Sequence, residues 1–256
     1  MIKIVFFDVD GTLISIKTRN IPDSTKKAIK ALREKGILCF IATGRHPNNT
    51  KGIGLEELEF DGILGLNGQM AVDKDGKVLY SVSLDKADQK VIVDNFNKRE
   101  HSIVIVEKDR QYFNYLDSSA LNFRKKFKLP PPEIGEYQGG EILQGIAYIN
   151  EADEAAFMSQ FKNAKSARWN TNGFDIINGS GGKDVGIKKL LDILNIKAGE
   201  TMAFGDNHND KEMLELVNIG VAMGNSIPEL KEIADYVSDE VDDDGIYNAL
   251  KHFNLI

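Results

Sequence analysis

Apolar positions in this chain begin as an unbroken run, Ile2 to Phe7, that stops at Asp8-Val9-Asp10-Gly11-Thr12. A short continuous apolar run ended by carboxylates and a glycine predicts a buried strand that delivers charge to its carboxyl edge. Next, Ala28, Ile29 and Leu32 share one face, which predicts a helix capped by Asp23 or Ser24, running to Glu34 and ended by Gly36. Ile37 to Ile41 and Ile63 to Leu66 repeat the buried-strand pattern and end in Ala42-Thr43-Gly44-Arg45 and Asn67-Gly68. Asp73 to Gly76 predicts a hairpin turn between Ala71-Val72 and Val78-Leu79-Tyr80. Strand, helix and strand in alternation favour a parallel sheet.

The rhythm changes from Leu84. A helical pattern to Lys98 precedes two strand-like runs, Ser102 to Val106 and Gln111 to Tyr115. A similar order recurs with a helix over Ala152 to Asn163 and strands at Ala167 to Asn170 and Phe174 to Ile177, turned at Asn172-Gly173. Between these units lie a helix over Ser118 to Phe127, the run Pro130-Pro131-Pro132, read as a stiff loop, and a strand over Ile142 to Ile149. Repeated helix-hairpin units predict an antiparallel α+β layer, so residues 82–178 are expected to form an inserted domain. Its hinges are expected at Ser81 to Asp85 and Asn178 to Gly182, where the glycines tolerate backbone change. Alternation then resumes. Ile187, Leu190, Leu191 and Leu194 mark a helix opened by Lys183, and Thr201 to Phe204 is another buried strand, ending in Gly205-Asp206-Asn207-His208-Asn209-Asp210. A short helix to Val217, a strand at Ile219 to Ala222, and helices from Ser226 and about Asp243 complete the chain; Asp239 to Asp244 reads as a solvated acidic turn.

A length of 256 residues admits one large domain or a domain carrying an insertion, and 42% hydrophobic residues supply a sizeable core. The formal charge of -7, with both signs intermixed, argues against a nucleic-acid or anionic-membrane surface. Cys39 is the lone cysteine, so no internal disulfide forms, and its apolar run makes it a small hydrophobe. No stretch has the length and apolarity to span a bilayer, and the N-terminal run is too short for a signal peptide. A cytoplasmic location is expected.

In a parallel sheet the carboxyl ends of all strands lie along one edge, so Asp8, Asp10, Thr43, Asp206, Asn209 and Asp210 are expected to share a crevice. So many carboxylates repel unless a cation joins them. An oxygen-only donor set without a Cys/His cluster points to Mg²⁺ rather than zinc. Taken in order, Asp8-Val9-Asp10-Gly11-Thr12, Thr43-Gly44-Arg45, Lys183 and Gly205-Asp206-Asn207-His208-Asn209-Asp210 resemble the four motifs of the haloacid dehalogenase (HAD) superfamily. The insertion between the second and third resembles the C2 type of cap, and the whole chain looks like a Cof-type sugar phosphatase.

The resemblance implies an α/β fold with a Rossmann-like parallel-sheet core, residues 1–81 and 179–256, and a mobile α+β cap, residues 82–178, that covers the crevice. It implies that Asp8 is the nucleophile and Asp10 the general acid/base. It gives Mg²⁺ to the carboxylates of Asp8 and Asp206 and the backbone carbonyl of Asp10, supported by Asp210 behind the metal or Lys183. Thr43, the Gly44 backbone N–H, Lys183 and Asn209 would hold phosphate oxygens. The implied activity is hydrolysis of small phosphorylated metabolites through an aspartyl-phosphate, with a phosphomutase or a non-catalytic phosphosugar-binding regulator as alternatives. The carboxylate at position 10 disfavours the ion-pumping and dehalogenating relatives, which lack that acid. A phosphate loop fails because Asp184, not Ser or Thr, follows Gly182-Lys183, and an EF-hand fails at Thr12 and Leu13. Arg45 and His46 read either as substrate contacts or as a solvent-facing helix start. His208 reads as a loop residue, Trp169 and Phe174 as cap core, and Asn170, Asn172 and Asp175 as undifferentiated cap positions.

Overall fold

A computed structural model describes residues 1–126 and 131–256. In chain order the strands are β1 (Ile4–Phe7), β2 (Leu38–Ala42), β3 (Gly62–Gly65), β4 (Met70–Asp73), β5 (Val78–Ser81), β6 (Ile103–Val106), β7 (Gln111–Phe113), β8 (Gln144–Ala147), β9 (Lys165–Asn170), β10 (Gly173–Ile177), β11 (Thr201–Gly205), β12 (Ile219–Ala222) and β13 (Tyr236–Val237). The α-helices are α1 (Asp23–Glu34), α2 (Lys86–Lys98), α3 (Ser118–Lys126), α4 (Glu151–Met158), α5 (Lys183–Leu194), α6 (Lys211–Leu216), α7 (Pro228–Ile233) and α8 (Gly245–His252). They build two compact units, one of Met1–Tyr80 with Gly182–Ile256 and one of Ser81–Gly181.

The first unit holds an eight-stranded sheet in the order β13-β12-β11-β1-β2-β3-β4-β5. From β13 to β3 every pairing is parallel, and β4 turns antiparallel on β3. The run at β1 is apolar without interruption because both of its faces are covered. Val5 and Phe7 join the core beneath α1 and α8, with Ile29, Leu32, Ile246 and Leu250. Ile4 and Phe6 face the other core, with Ile187, Leu190 and Leu191 of α5 and Met213 and Leu214 of α6. Phe7 stacks on Phe204 of β11 with centroids 5.3 Å apart, which fixes the two central strands side by side. The order reverses between β1 and β11, so the crevice at their carboxyl ends is a topological switch point.

The second unit is an antiparallel sheet, β7-β6-β8-β10-β9. One of its faces packs Ile103, Ile105, Ala147, Phe174 and Ile176 against Ile92 and Phe96 of α2 and Phe157 of α4. Trp169 belongs instead to an aromatic group with Phe123 (4.9 Å) and Tyr148 (5.8 Å). Among the described residues no helix is long and apolar enough to cross a membrane.

Several local expectations are corrected. Asp23 is the first residue of α1 rather than its cap, Pro22 precedes it, and no side chain caps the helix; the Ser24 hydroxyl is buried without a partner. Pro22 fixes the backbone entering the helix but offers no side-chain acceptor to the N–H groups of the first turn. The strand expected over Ile142 to Ile149 is confined to β8, and the short β13 adds an edge strand that its two residues could not announce. The ends of two expected features, Phe127 and Pro130, lie outside the described residues.

Candidate active site

The carboxyl ends of β1, β2 and β11 bring together groups far apart in sequence. Phe7 lies opposite Phe204 and Ile41 in the register, so the residues that follow each strand emerge as neighbours. The Asp8 N–H donates to the Phe204 carbonyl (3.0 Å), and the Thr43 N–H to the Leu64 carbonyl (2.8 Å). Asp8 and Thr43 are both buried.

Lys183, the first residue of α5, is the electrostatic centre of this edge. Its ammonium donates to Asp8 Oδ1 (2.6 Å) and Asp210 Oδ1 (2.5 Å), and its side chain is 1% exposed. Burial opposes its charge, yet the carboxylates of Asp210 and Asp8 outweigh that and hold its pKa above the usual lysine value. Burial pushes the Asp8 carboxyl up to about 7, against the opposing pull of Lys183 and with reinforcement from Asp210.

Asp206 is set by its surroundings in the same way. The Thr12 hydroxyl donates to Asp206 Oδ1 (3.0 Å), and Gly11, at φ +97°, passes so close that a Cβ there would overlap the Asp206 carboxylate. Asn225, a residue with no signal in the sequence, donates from Nδ2 to the Gly11 carbonyl (2.8 Å) and so pins this loop. Burial raises the Asp206 carboxyl to about 9, followed in effect by the charges of Asp8 and Asp210. Asp210 is already engaged: Oδ1 accepts from Lys183, and Oδ2 accepts the N–H groups of Asp206 and Asn207 (both 3.0 Å).

Carboxylate oxygens of Asp8, Asp206 and Asp210 lie within 4.8 Å of one another. Three carboxylates against one ammonium leave two excess negative charges when all are ionised. That excess, carried by hard oxygen donors, fits a divalent cation of the Mg²⁺ type better than a soft metal. With Asp210 committed to Lys183 and two backbone donors, Asp8 and Asp206 are the carboxylates that fit its ligation.

Asp10 is half-buried and held by a partner that the sequence did not suggest. Arg45 donates from Nε to Asp10 Oδ2 (2.8 Å) and from Nη2 to Asp10 Oδ1 (2.7 Å), a two-point clamp that fixes the plane of the carboxylate. His46 does stand at a helix start, a 3₁₀ turn over Pro47–Thr50 that its Nδ1 caps by accepting the Asn48 N–H, but it is buried rather than solvent-facing. Gly44 follows Thr43 at the end of β2, and His208, expected in a loop, is exposed as the first residue of a 3₁₀ turn, His208–Asp210. Asn209 donates from Nδ2 to Asn67 Oδ1 (3.3 Å), which adds the turn after β3 to the site.

Comparison with known proteins identifies the relatives of this chain. A family model described as haloacid dehalogenase-like hydrolase matches residues 5–250. A Bacillus subtilis (strain 168) protein named "Putative phosphatase YkrA" is 37% identical over 257 residues, 99% of this chain and 98% of that protein. The 5-amino-6-(5-phospho-D-ribitylamino)uracil phosphatase YitU of the same organism is 28% identical, over 98% of this chain and 97% of its own. Among solved structures, a HAD subclass IIB sugar phosphatase superimposes with a TM-score of 0.91 at 31% identity, over 99% of this chain and 100% of its own.

Proposed function

This chain belongs to the haloacid dehalogenase-like hydrolase family and is a phosphatase, and from that premise we propose that it hydrolyses small phosphorylated metabolites, sugar phosphates foremost, through an aspartyl-phosphate on Asp8 with Mg²⁺ as cofactor. The observation that carries this reading is the buried quartet of Asp8, Asp206, Asp210 and Lys183. It presents a nucleophilic carboxylate next to a fixed cation and an unbalanced anionic pair.

Asp8 and Asp206, with the Asp10 backbone carbonyl, are assigned to Mg²⁺, which when bound offsets the charge between Asp8 and an incoming phosphate and stabilises charge in transfer. A carboxylate oxygen of Asp8 attacks phosphorus, and the ester P–O bond breaks. The leaving alkoxide takes a proton from Asp10, whose carboxyl plane Arg45 sets. Asp10, now ionised, removes a proton from water, which attacks phosphorus and returns Asp8 as the carboxylate. Thr43, the Gly44 N–H, Lys183 and Asn209 are assigned to phosphate oxygens, and Asp210 holds Lys183 in place. Residues 82–178 are assigned as the C2-type cap that selects the alcohol part of the substrate.

The sugar-phosphate class is supported by the sugar phosphatase that superimposes on the chain, and YitU adds a phosphorylated polyol as a second substrate type among relatives. A panel of sugar phosphates, nucleotides, pyridoxal phosphate and flavin mononucleotide, read by released phosphate with Mg²⁺ and with excess EDTA, tests the reading. Mg²⁺-dependent release from small monoesters is expected. Undiminished turnover in EDTA, or phosphate transferred to another position of the substrate instead of to water, overturns it.

A further inference from the structure

The turn after β3 carries three consecutive residues in the left-handed region: Leu66 (φ 53°), Asn67 (φ 50°) and Gly68 (φ 88°). Glycine adopts such angles freely and asparagine tolerates them, but leucine is disfavoured there because its Cβ crowds the backbone. All three residues are buried. Strain of this kind persists only where surrounding contacts over-determine it, and it concentrates at functional sites.

Those contacts connect the turn with three segments that carry residues assigned above to phosphate oxygens. The Leu66 N–H donates to the Arg45 carbonyl (3.0 Å) and the Asn67 N–H to the Thr43 carbonyl (3.0 Å), so the turn is fastened to the end of β2. At Gly68 a Cβ would overlap the Gly182 carbonyl and come 3.2 Å from Gly186 Cα, so the turn packs directly on the start of α5, where Lys183 sits. The Tyr80 hydroxyl bridges the Gly68 carbonyl (2.9 Å) and the Gly186 carbonyl (3.0 Å) across that same contact. Finally, Asn67 Oδ1 accepts from Asn209 Nδ2 (3.3 Å).

The last bond decides which way Asn209 faces. A carboxamide has an acceptor end and a donor end of nearly equal shape, and only the donor end can bind a phosphate oxygen. With Asn67 Oδ1 beside it, the Asn209 NH₂ is drawn to the turn: one N–H is used there, and the second is directed by the same planar group. We propose that Asn67 is a positioning residue for phosphate binding. It holds Asn209 in its donor orientation, and the strained turn ties Thr43, the start of α5 and Asn209 into one frame. The proposal rests on the phosphate-binding role given to Asn209.

Asn67→Gly keeps the left-handed backbone and removes the carboxamide, and Asn67→Ser, with a shorter side chain, is the second variant. Each is compared with Asn209→Ala and with the Asn67→Gly/Asn209→Ala double variant. The readouts are inhibition by inorganic phosphate, KM for an aryl phosphate, and Tm in the presence of Mg²⁺. A misaligned donor to a charged oxygen is expected to weaken phosphate inhibition and raise KM about tenfold in either Asn67 variant. The double variant is expected to bind phosphate no worse than Asn209→Ala, because Asn67 acts through Asn209. Independent, multiplicative losses, or unchanged phosphate inhibition in Asn67→Gly, overturn the proposal. A wild-type enzyme that hydrolyses phosphate esters while Asn209→Ala inhibits normally with phosphate overturns it too, but leaves the Asp8 chemistry standing. A wild-type enzyme with no hydrolysis of such esters refutes the broader reading instead.

Discussion

Replacing Lys183 by methionine removes the one ammonium among the buried carboxylates while keeping the side-chain volume. Lys183 contacts Asp8 at 2.6 Å and Asp210 at 2.5 Å, with side-chain exposures of 1%, 10% and 0% for the three residues. Breaking a buried ion pair by removing one partner costs about 3–5 kcal/mol, because the remaining charge is stranded. In a unit of this size each kcal/mol shifts Tm by about 2–4 °C, so metal-free Lys183→Met is expected to melt roughly 10 °C below the wild type. The deficit depends on pH with a definite sign. Lys183 lowers the Asp8 pKa, so its loss moves the folded-state value further above about 7, away from the usual 3.8. A carboxyl whose folded pKa is raised contributes stability at low pH and loses it as pH rises through the folded value. The deficit is therefore expected to be larger at pH 8 than at pH 5, opening above about pH 7 where wild-type Asp8 ionises, measured by calorimetry in EDTA. A Tm within about 2 °C of the wild type at both pH values would show that Lys183 does not neutralise this cluster.

Asp10→Asn is expected to lower kcat/KM by about 10²–10⁴, more for an alkyl sugar phosphate than for an aryl phosphate whose leaving group needs less protonation; equal losses count against Asp10 as the acid. Gly11→Ala puts a Cβ into the Asp206 carboxylate at a backbone φ of +97°, so Mg²⁺ titrations should show about tenfold weaker binding, and unchanged binding would separate Gly11 from the metal site. Burial raises Asp8 to about 7 and Asp206 to about 9, so the metal-free folded chain holds protons that the unfolded chain has released, and its stability should fall as pH rises towards those values. Mg²⁺ needs the ionised carboxylates, so the Tm gain on adding Mg²⁺ should grow from about pH 6 to pH 8, and a gain independent of pH contradicts the assignment.

The parallel order of the sheet was legible because doubly covered strands leave uninterrupted apolar runs, and the site was legible where such runs end in charge, at Asp8, Asp206 and Asp210. Lys183 was readable only through the resemblance, since a lysine opening an amphipathic helix carries no signal of being buried. Arg45 was legible only as one of two readings, a substrate contact or a solvent-facing helix start, and Asn67 was not legible as a site residue. The partner that gives Arg45 its task, Asp10, is 35 positions away in sequence, and an Asn-Gly pair after a strand has the pattern of any turn. His46 misled because a polar residue after a strand end resembles an exposed helix start, whereas here it is buried and caps a 3₁₀ turn. At the start of α1 an Asp or Ser has the pattern of a cap, whereas Asp23 is the first helical residue and Pro22 precedes it.

The central claim is that the phosphoryl group passes through Asp8, and it can be read directly. The enzyme is mixed with a sugar phosphate and Mg²⁺, quenched within the first turnover and treated with borohydride, which reduces an aspartyl-phosphate to homoserine; the peptides are then sequenced by mass spectrometry. Homoserine at position 8, absent without substrate and absent in Asp8→Asn, is the expected result. Homoserine at another aspartate, or rapid phosphate release in the first turnover with position 8 unmodified under every quench, would contradict it.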